Sequence, residues 1–134
     1  MSSASKDPQG GVWCIVVAGG SGRRWGGAKQ FELLGGERVI DRSVAVAAAA
    51  CDGVVAVVPA DDAGRPVTDV PGASVVVVGG TSRSASVRAG LGAVPDDATV
   101  VLVHDAARPL ATRQLFDRVI GAVRAGAVAV VPAV

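Results

Sequence analysis

Five runs of almost uninterrupted small aliphatic residues constrain this chain most: Val12–Ala18, Val54–Val58, Ser74–Val78, Thr99–Val103 and Ala127–Val131. A strand with one wet face alternates apolar and polar side chains, whereas a strand covered on both faces reads as a continuous apolar run. The segments between several of these runs have helical spacing instead. Arg38–Cys51 is rich in alanine and carries Val39, Ile40, Val44 and Val46 on its apolar side. Ser84–Ala93 has Val87 and Leu91, with Val94 just beyond, on one side, and Ser84 or a nearby residue as its cap. Arg113–Arg124 shows a stripe of Leu115, Val119, Ile120 and Val123, with Thr112 as N-cap and Gly126 as its stop. Strands alternating with helices predict an α/β fold, a doubly wound and mainly parallel sheet flanked by helices. Ligands of such sheets bind at the carboxyl ends of the strands. Three distant segments, the glycines after Val17, Gly79-Gly80 and His104-Asp105, are therefore expected along one edge.

The remaining stretches read as connections. Gln30–Leu34 is a short apolar-polar stretch, followed by a turn at Gly35-Gly36. Asp61–Gly72 holds three Asp, two Pro and two Gly, and reads as a link with room for one helical turn. Met1–Gly11 is small and polar and reads as a disordered tail, leaving 12–134 as one α/β domain. Half the residues are hydrophobic but only 3% are aromatic, so the core is built from Val, Ala, Leu and Ile. The formal net charge of +1 offers no global field for nucleic acid or a membrane surface. No stretch approaches the roughly 18 apolar residues of a membrane helix, and the start lacks the order of a signal peptide. A single histidine, His104, excludes histidine-rich metal sites. Cys14 and Cys51 lack CxxC spacing and read as buried free thiols of a reducing cytoplasm.

The first strand opens into Ala18-Gly19-Gly20-Ser21-Gly22-Arg23-Arg24-Trp25-Gly26-Gly27-Ala28-Lys29. Glycine lets backbone approach a ligand closely, successive N–H groups form an anion nest, and Arg and Lys add fixed positive charge. A polyphosphate needs this combination. A Walker loop requires GxxxxGK[ST], and here Gln30 follows Lys29. A dinucleotide fingerprint requires GxGxxG, and its last glycine falls on Trp25. The pattern that fits is AGGxGxR with a lysine a few residues on, the loop of nucleotidyltransferases. In nucleotidyl transfer an oxyanion attacks the α-phosphorus and pyrophosphate leaves, so charge builds on oxygens that pre-aimed donors stabilise. Backbone N–H groups would hold the β and γ phosphates, with Arg24 and Lys29 reaching the reacting phosphorus. The plain alternative is a glycine turn with solvated arginines.

Asp105, in His104-Asp105-Ala106-Ala107-Arg108-Pro109, is a natural Mg²⁺ ligand at a strand's carboxyl end, since Mg²⁺ takes one or two carboxylates plus phosphate oxygens. Arg108 could hold the phosphate of a second substrate. His104 fits an orienting role better than a ligand contact, and Asp105 with Arg108 could equally form a salt-bridged cap. Gly79-Gly80-Thr81-Ser82-Arg83-Ser84-Ala85-Ser86-Val87 reads either as a capped helix start or as a nucleobase pocket in which Ser86 reads the base edge.

Together, AGGSGRR…KQF, GGTSRSASVRAGL and VLVHDAARP resemble the 2-C-methyl-D-erythritol 4-phosphate cytidylyltransferase family, from about Val12 to the chain end. The resemblance implies a Rossmann-like nucleotidyltransferase fold and a cytoplasmic enzyme of isoprenoid precursor synthesis. It would join CMP from CTP to methylerythritol phosphate and release pyrophosphate, with Mg²⁺. The resemblance makes Arg24 and Lys29 catalytic and places Asp105 near the metal and the attacking oxygen. Arg108 becomes a sugar-phosphate contact. Ala18, Gly19, Gly20, Gly80, Arg83 and Ser86 become CTP contacts, with Ser21, Gly22, Thr81 and Ala106 in the same nucleotide site. Ala28 and Thr81 stand where the family usually has Pro and often has Asp. The family continues past Val134 into a projecting β-arm that makes a homodimer and into further Arg, Lys and Thr contacts. The chain alone is therefore expected to be weakly active or inactive while keeping the CTP half-site, and apolar Val128–Val134 at an open sheet edge would invite association. A ribitol 5-phosphate cytidylyltransferase, a nucleotide-binding module without chemistry and a dinucleotide-binding domain remain as alternatives.

Overall fold

A computed structural model of the chain describes residues 11–18, 33–34, 37–106 and 112–126. The expected tail before Gly11, the glycine loop after Ala18, the turn at 35–36, the segment around Arg108 and the fifth strand at 127–131 lie outside the described residues. In chain order the elements are β1 (Gly11–Val17), β2 (Leu33–Leu34), β3 (Glu37–Arg38), α1 (Val39–Ala50), β4 (Gly53–Val58), β5 (Val75–Val78), α2 (Arg83–Leu91), β6 (Ala98–Asp105) and α3 (Arg113–Arg124). Four strands form one sheet in the order β5-β4-β1-β6, and every pairing in it is parallel. β2 and β3 make a small antiparallel pair that leads directly into α1.

Side chains of a strand point alternately to its two faces, and two apolar clusters show where each set goes. Val12, Cys14 and Val16 of β1, with Val54, Ala56 and Val58 of β4, pack under Ile40, Val44 and Ala47 of α1 and Phe116 and Ile120 of α3. The opposite set, Ile15, Val17, Val55 and Val57, packs with Val87, Ala93 and Val94 in and after α2. The sheet is thus covered on both faces at its centre, and β4 is buried along all of its length. That is the doubly wound arrangement, and it explains why β1 and β4 contain no polar residue between Val12 and Val17 or between Val54 and Val58.

The outer strands depart from the expectation of complete burial. β6 alternates, with Val100 and Leu102 inward and Val101 and Val103 about 40% exposed, at 39% and 41%. α2 lies over β1, β4 and β5, so the outward residues of β6 have no helix above them among the described residues. Other departures concern helix faces. α1 buries Ile40 and Val44 as expected, together with Ser43 and Ala47, while Val39 and Val46 are half-buried. α2 meets the sheet with Ser86 and Gly90, while Leu91 is 47% exposed. α3 buries Phe116 beside Ile120, rather than Leu115. The 61–72 connection contains turns and one isolated bridge, Ala60 to Pro66, instead of a helical turn. It is tied to α1 by Arg38, whose guanidinium donates to both Asp41 oxygens at 2.8 and 2.9 Å, to Thr68 Oγ1 at 2.8 Å and to the Asp69 carbonyl at 3.0 Å.

The helix starts follow capping chemistry. Thr112 Oγ1 accepts from the Leu115 N–H at 3.2 Å. Ser82, two residues before Ser84, caps α2 by accepting from the Ala85 N–H at 3.1 Å. Gly11, assigned above to the tail, is the first residue of β1. No helix of the described residues is long and apolar enough to cross a membrane.

Candidate active site

The carboxyl ends of the four parallel strands are stitched together one residue beyond the ladders. Ala18 N–H donates to the Val57 carbonyl at 2.7 Å, Ala106 N–H to the Val17 carbonyl at 2.9 Å, and Gly79 N–H to the Val58 carbonyl at 2.9 Å. β1 lies between β4 and β6, so the chain leaves it at Ala18 from the middle of this edge. The three segments expected to converge do so at Ala18, Gly79-Gly80 and Asp105-Ala106.

Two of the three have a second anchor. Ser43, buried inside α1, donates its Oγ to the Ala106 carbonyl at 3.0 Å. Ala106 is therefore held by β1 through its N–H and by α1 through its carbonyl. Sequence reasoning missed Ser43, and its signal was a lone hydroxyl on an otherwise apolar helix stripe. Gly80 N–H donates to Ser86 Oγ at 3.1 Å. A Cβ added to Gly80 would lie 2.4 Å from Ala85 Cβ, so only glycine permits this approach of loop to helix. Ser86 has no exposed surface. Its hydroxyl accepts from the Gly80 N–H and so fixes the loop backbone from inside.

Arg83, the first residue of α2, donates from Nε to Asp105 Oδ1 at 3.1 Å. The pair bridges helix and strand across 22 positions of sequence. Both side chains remain accessible, 54% for Arg83 and 30% for Asp105. His104 is largely turned inward, its ring 5.4 Å from that of Phe116 in an edge-to-face arrangement at 64°. It ties the end of β6 to α3. Thr81, on the loop before α2, is exposed. Among the described residues no group of three or more His, Cys, Asp or Glu side chains comes together; Asp105 is the carboxylate at this edge. Arg24, Lys29, Gly19, Gly20, Ser21, Gly22 and Arg108 lie outside the described residues.

A groove of about 530 Å³ opens elsewhere, between the end of α1 and α3, lined by Val12, Cys51, Asp52, Arg113, Asp117 and Arg124 among others. Val12 and Asp52 mark the amino ends of β1 and β4, so this groove lies at the end of the sheet opposite Asp105. Near it, hydrogen bonding to Cys51 and burial push the Cys14 thiol well above its ordinary pKa.

Comparisons with known proteins show what the chain is similar to. The family model of 2-C-methyl-D-erythritol 4-phosphate cytidylyltransferase (IspD) matches residues 12–134. The bifunctional enzyme IspD/IspF of Anaeromyxobacter dehalogenans strain 2CP-C is 51% identical over 110 residues, which cover 78% of this chain and 28% of that protein. The 2-C-methyl-D-erythritol 4-phosphate cytidylyltransferase of Rhodococcus jostii strain RHA1 is 45% identical over 130 residues, 94% of this chain and 57% of that protein. The crystal structure of 4-diphosphocytidyl-2C-methyl-D-erythritol synthase from Anaerococcus prevotii DSM 20548 superposes with a TM-score of 0.67 at 27% identity, covering 87% of this chain and 52% of that one. The chain thus spans little more than half the length of the Rhodococcus relative, and less of the bifunctional one. With the family match running from the first strand through the converging edge to residue 134, the chain belongs to the 2-C-methyl-D-erythritol 4-phosphate cytidylyltransferase family.

Proposed function

We propose that this chain provides the nucleotide half of a cytidylyltransferase that moves CMP from CTP to 2-C-methyl-D-erythritol 4-phosphate and releases pyrophosphate. One observation carries the reading: Ala18, Gly80 and Asp105-Ala106 share one sheet edge, with Arg83 and Asp105 facing one another across it at 3.1 Å. A triphosphate over this edge meets the α2 N-terminus and Arg83 on one side, and Ala18, where the glycine loop begins, in the middle. Gly80 and Ala106 are the backbone points that Ser86 and Ser43 hold still. Such prior fixing is what makes donors effective against developing charge.

Arg24 and Lys29 are the cations assigned to the α-phosphoryl oxygens, and Arg108 the one assigned to the alcohol phosphate. The donor chemistry also fits a divalent cation, Mg²⁺ in this proposal. Asp105 presents a partly accessible carboxylate at the strand end, and Mg²⁺ binds to one or two carboxylates together with phosphate oxygens. When bound there, the cation neutralises charge on the phosphates and helps orient them.

Calorimetry with CTP and Mg²⁺ tests the nucleotide half directly. Binding by the parent chain, with loss on Arg24→Ala, supports the reading; no heat from the parent refutes it, and NAD(H) binding in its place would favour a dinucleotide site. Pyrophosphate release with methylerythritol 4-phosphate and with ribitol 5-phosphate identifies the acceptor.

A further inference from the structure

The Arg83–Asp105 pair is an unusual way to begin a helix. A cation in the first turn opposes the helix dipole, which favours negative charge there, and α2 has no acidic residue in that turn. Arg83 is not needed as a cap, because Ser82 supplies one. Nor is it needed to seat the helix, which meets the sheet through Gly90 and Ser86. Among the described residues its one polar contact is a single Nε–H to Oδ1 bond, although a guanidinium has five donors and can bind an anion with two at once. Asp105 likewise offers more acceptor positions than one Nε–H uses.

We propose that this ion pair is a placeholder that is exchanged when a metal–nucleoside triphosphate binds. Asp105 passes from the guanidinium to the divalent cation, and Arg83 passes from the carboxylate to phosphate oxygens. The inference rests on the function proposed above and adds to it an order of partners. Before nucleotide arrives, each charge is compensated by the other, so neither a free cation nor a metal-free triphosphate is held strongly. When both arrive together, each side chain gains a partner of higher charge and loses a solvent-screened one. Exposed pairs are individually weak, which makes this exchange inexpensive and reversible.

The exchange predicts opposite signs for half-ligands and for the whole ligand. Mn²⁺ alone, followed by electron paramagnetic resonance, should bind Arg83→Gln about two- to five-fold more tightly than the parent, because the competing guanidinium is gone. CTP with chelator and no metal should bind Asp105→Asn about two- to five-fold more tightly, because the opposing carboxylate is gone. Both variants should bind CTP with Mg²⁺ more weakly than the parent, and Arg83→Lys, which keeps the charge, should fall between parent and Arg83→Gln in the Mn²⁺ titration. Melting temperatures close to the parent's confirm that the fold is intact. A purely structural pair would lower every affinity together with stability. If the parent binds CTP with Mg²⁺ but neither half-ligand binds more tightly to its variant, the exchange is overturned and the functional reading stands. If the parent takes up no CTP, both fall.

Discussion

Replacing Gly90 with alanine sets two opposed free energies against each other at the base of the candidate site. Gly90 is in α2, and helix propensity alone favours alanine there by about 0.8–1.0 kcal/mol. The new methyl, however, would lie 2.5 Å from Ile15 Cγ2 and 3.1 Å from Val57 Cγ2, both on fully buried residues. Ile15 Cγ2 is fixed on a β-branched carbon and cannot swing away as a flexible chain end could. Relief requires α2 to lift by about 1 Å, given carbon contacts of about 3.5–4.0 Å. Overpacking of this kind costs about 1–3 kcal/mol, so the net effect should be a loss of about 1 kcal/mol. Urea unfolding followed by far-UV circular dichroism should show a midpoint lower by roughly 0.3–1 M, for slopes of about 1–3 kcal/mol/M. The clash can be isolated in a double-mutant cycle. Ile15→Ala alone should cost about 2–5 kcal/mol, but in that background Gly90→Ala should be neutral or stabilising by up to about 1 kcal/mol. A Gly90→Ala chain more stable than its parent would refute the argument that α2 is seated on the sheet through this residue.

Three further outcomes are expected. Arg38→Met removes the bonds to Thr68 and Asp69 that hold the 61–72 connection to α1, should cost about 1–2 kcal/mol, and should speed amide hydrogen exchange across that connection. Ser82→Ala should cost about 0.5–2 kcal/mol in thermal or urea unfolding by removing the α2 cap, and should weaken CTP binding because the same turn carries Arg83. The Cys14 thiol is held above its ordinary pKa, first by its hydrogen bond to Cys51 and then by burial, so the folded chain keeps that proton to higher pH than the unfolded chain does. The resulting stability is fully present below about pH 8.5, the unfolded thiol's value, and declines as pH rises toward the folded one. Unfolding curves of parent and Cys14→Ala measured from pH 7 to 10 should therefore draw together above about pH 8.5.

Apolar runs such as Val12–Ala18 and Val54–Val58 announced buried parallel strands because neither of their faces meets water in the finished sheet. Thr112 was legible as a cap because capping is local chemistry, settled within three residues by Leu115 N–H. The converging edge was also readable, since a parallel sheet delivers all its strand ends to one side. Helix faces were less so. Leu91 and Leu115 look like core residues by type, yet Gly90 and Phe116 occupy the buried positions. Which part of a helix stripe is pressed inward depends on the angle at which it crosses the sheet, and no single helix contains that angle.

The chain's order of residues determined its class of architecture, the edge where the strand ends gather and the residue types brought there, because periodicity, capping and glycine turns act over a few neighbours. The tertiary structure alone decided that Ser43 holds Ala106 across 63 positions, that Ser86 props Gly80 from inside, and that Arg83 meets Asp105. Those contacts join elements whose separation is set by sheet spacing and helix packing, distances that exist only once the whole core has closed.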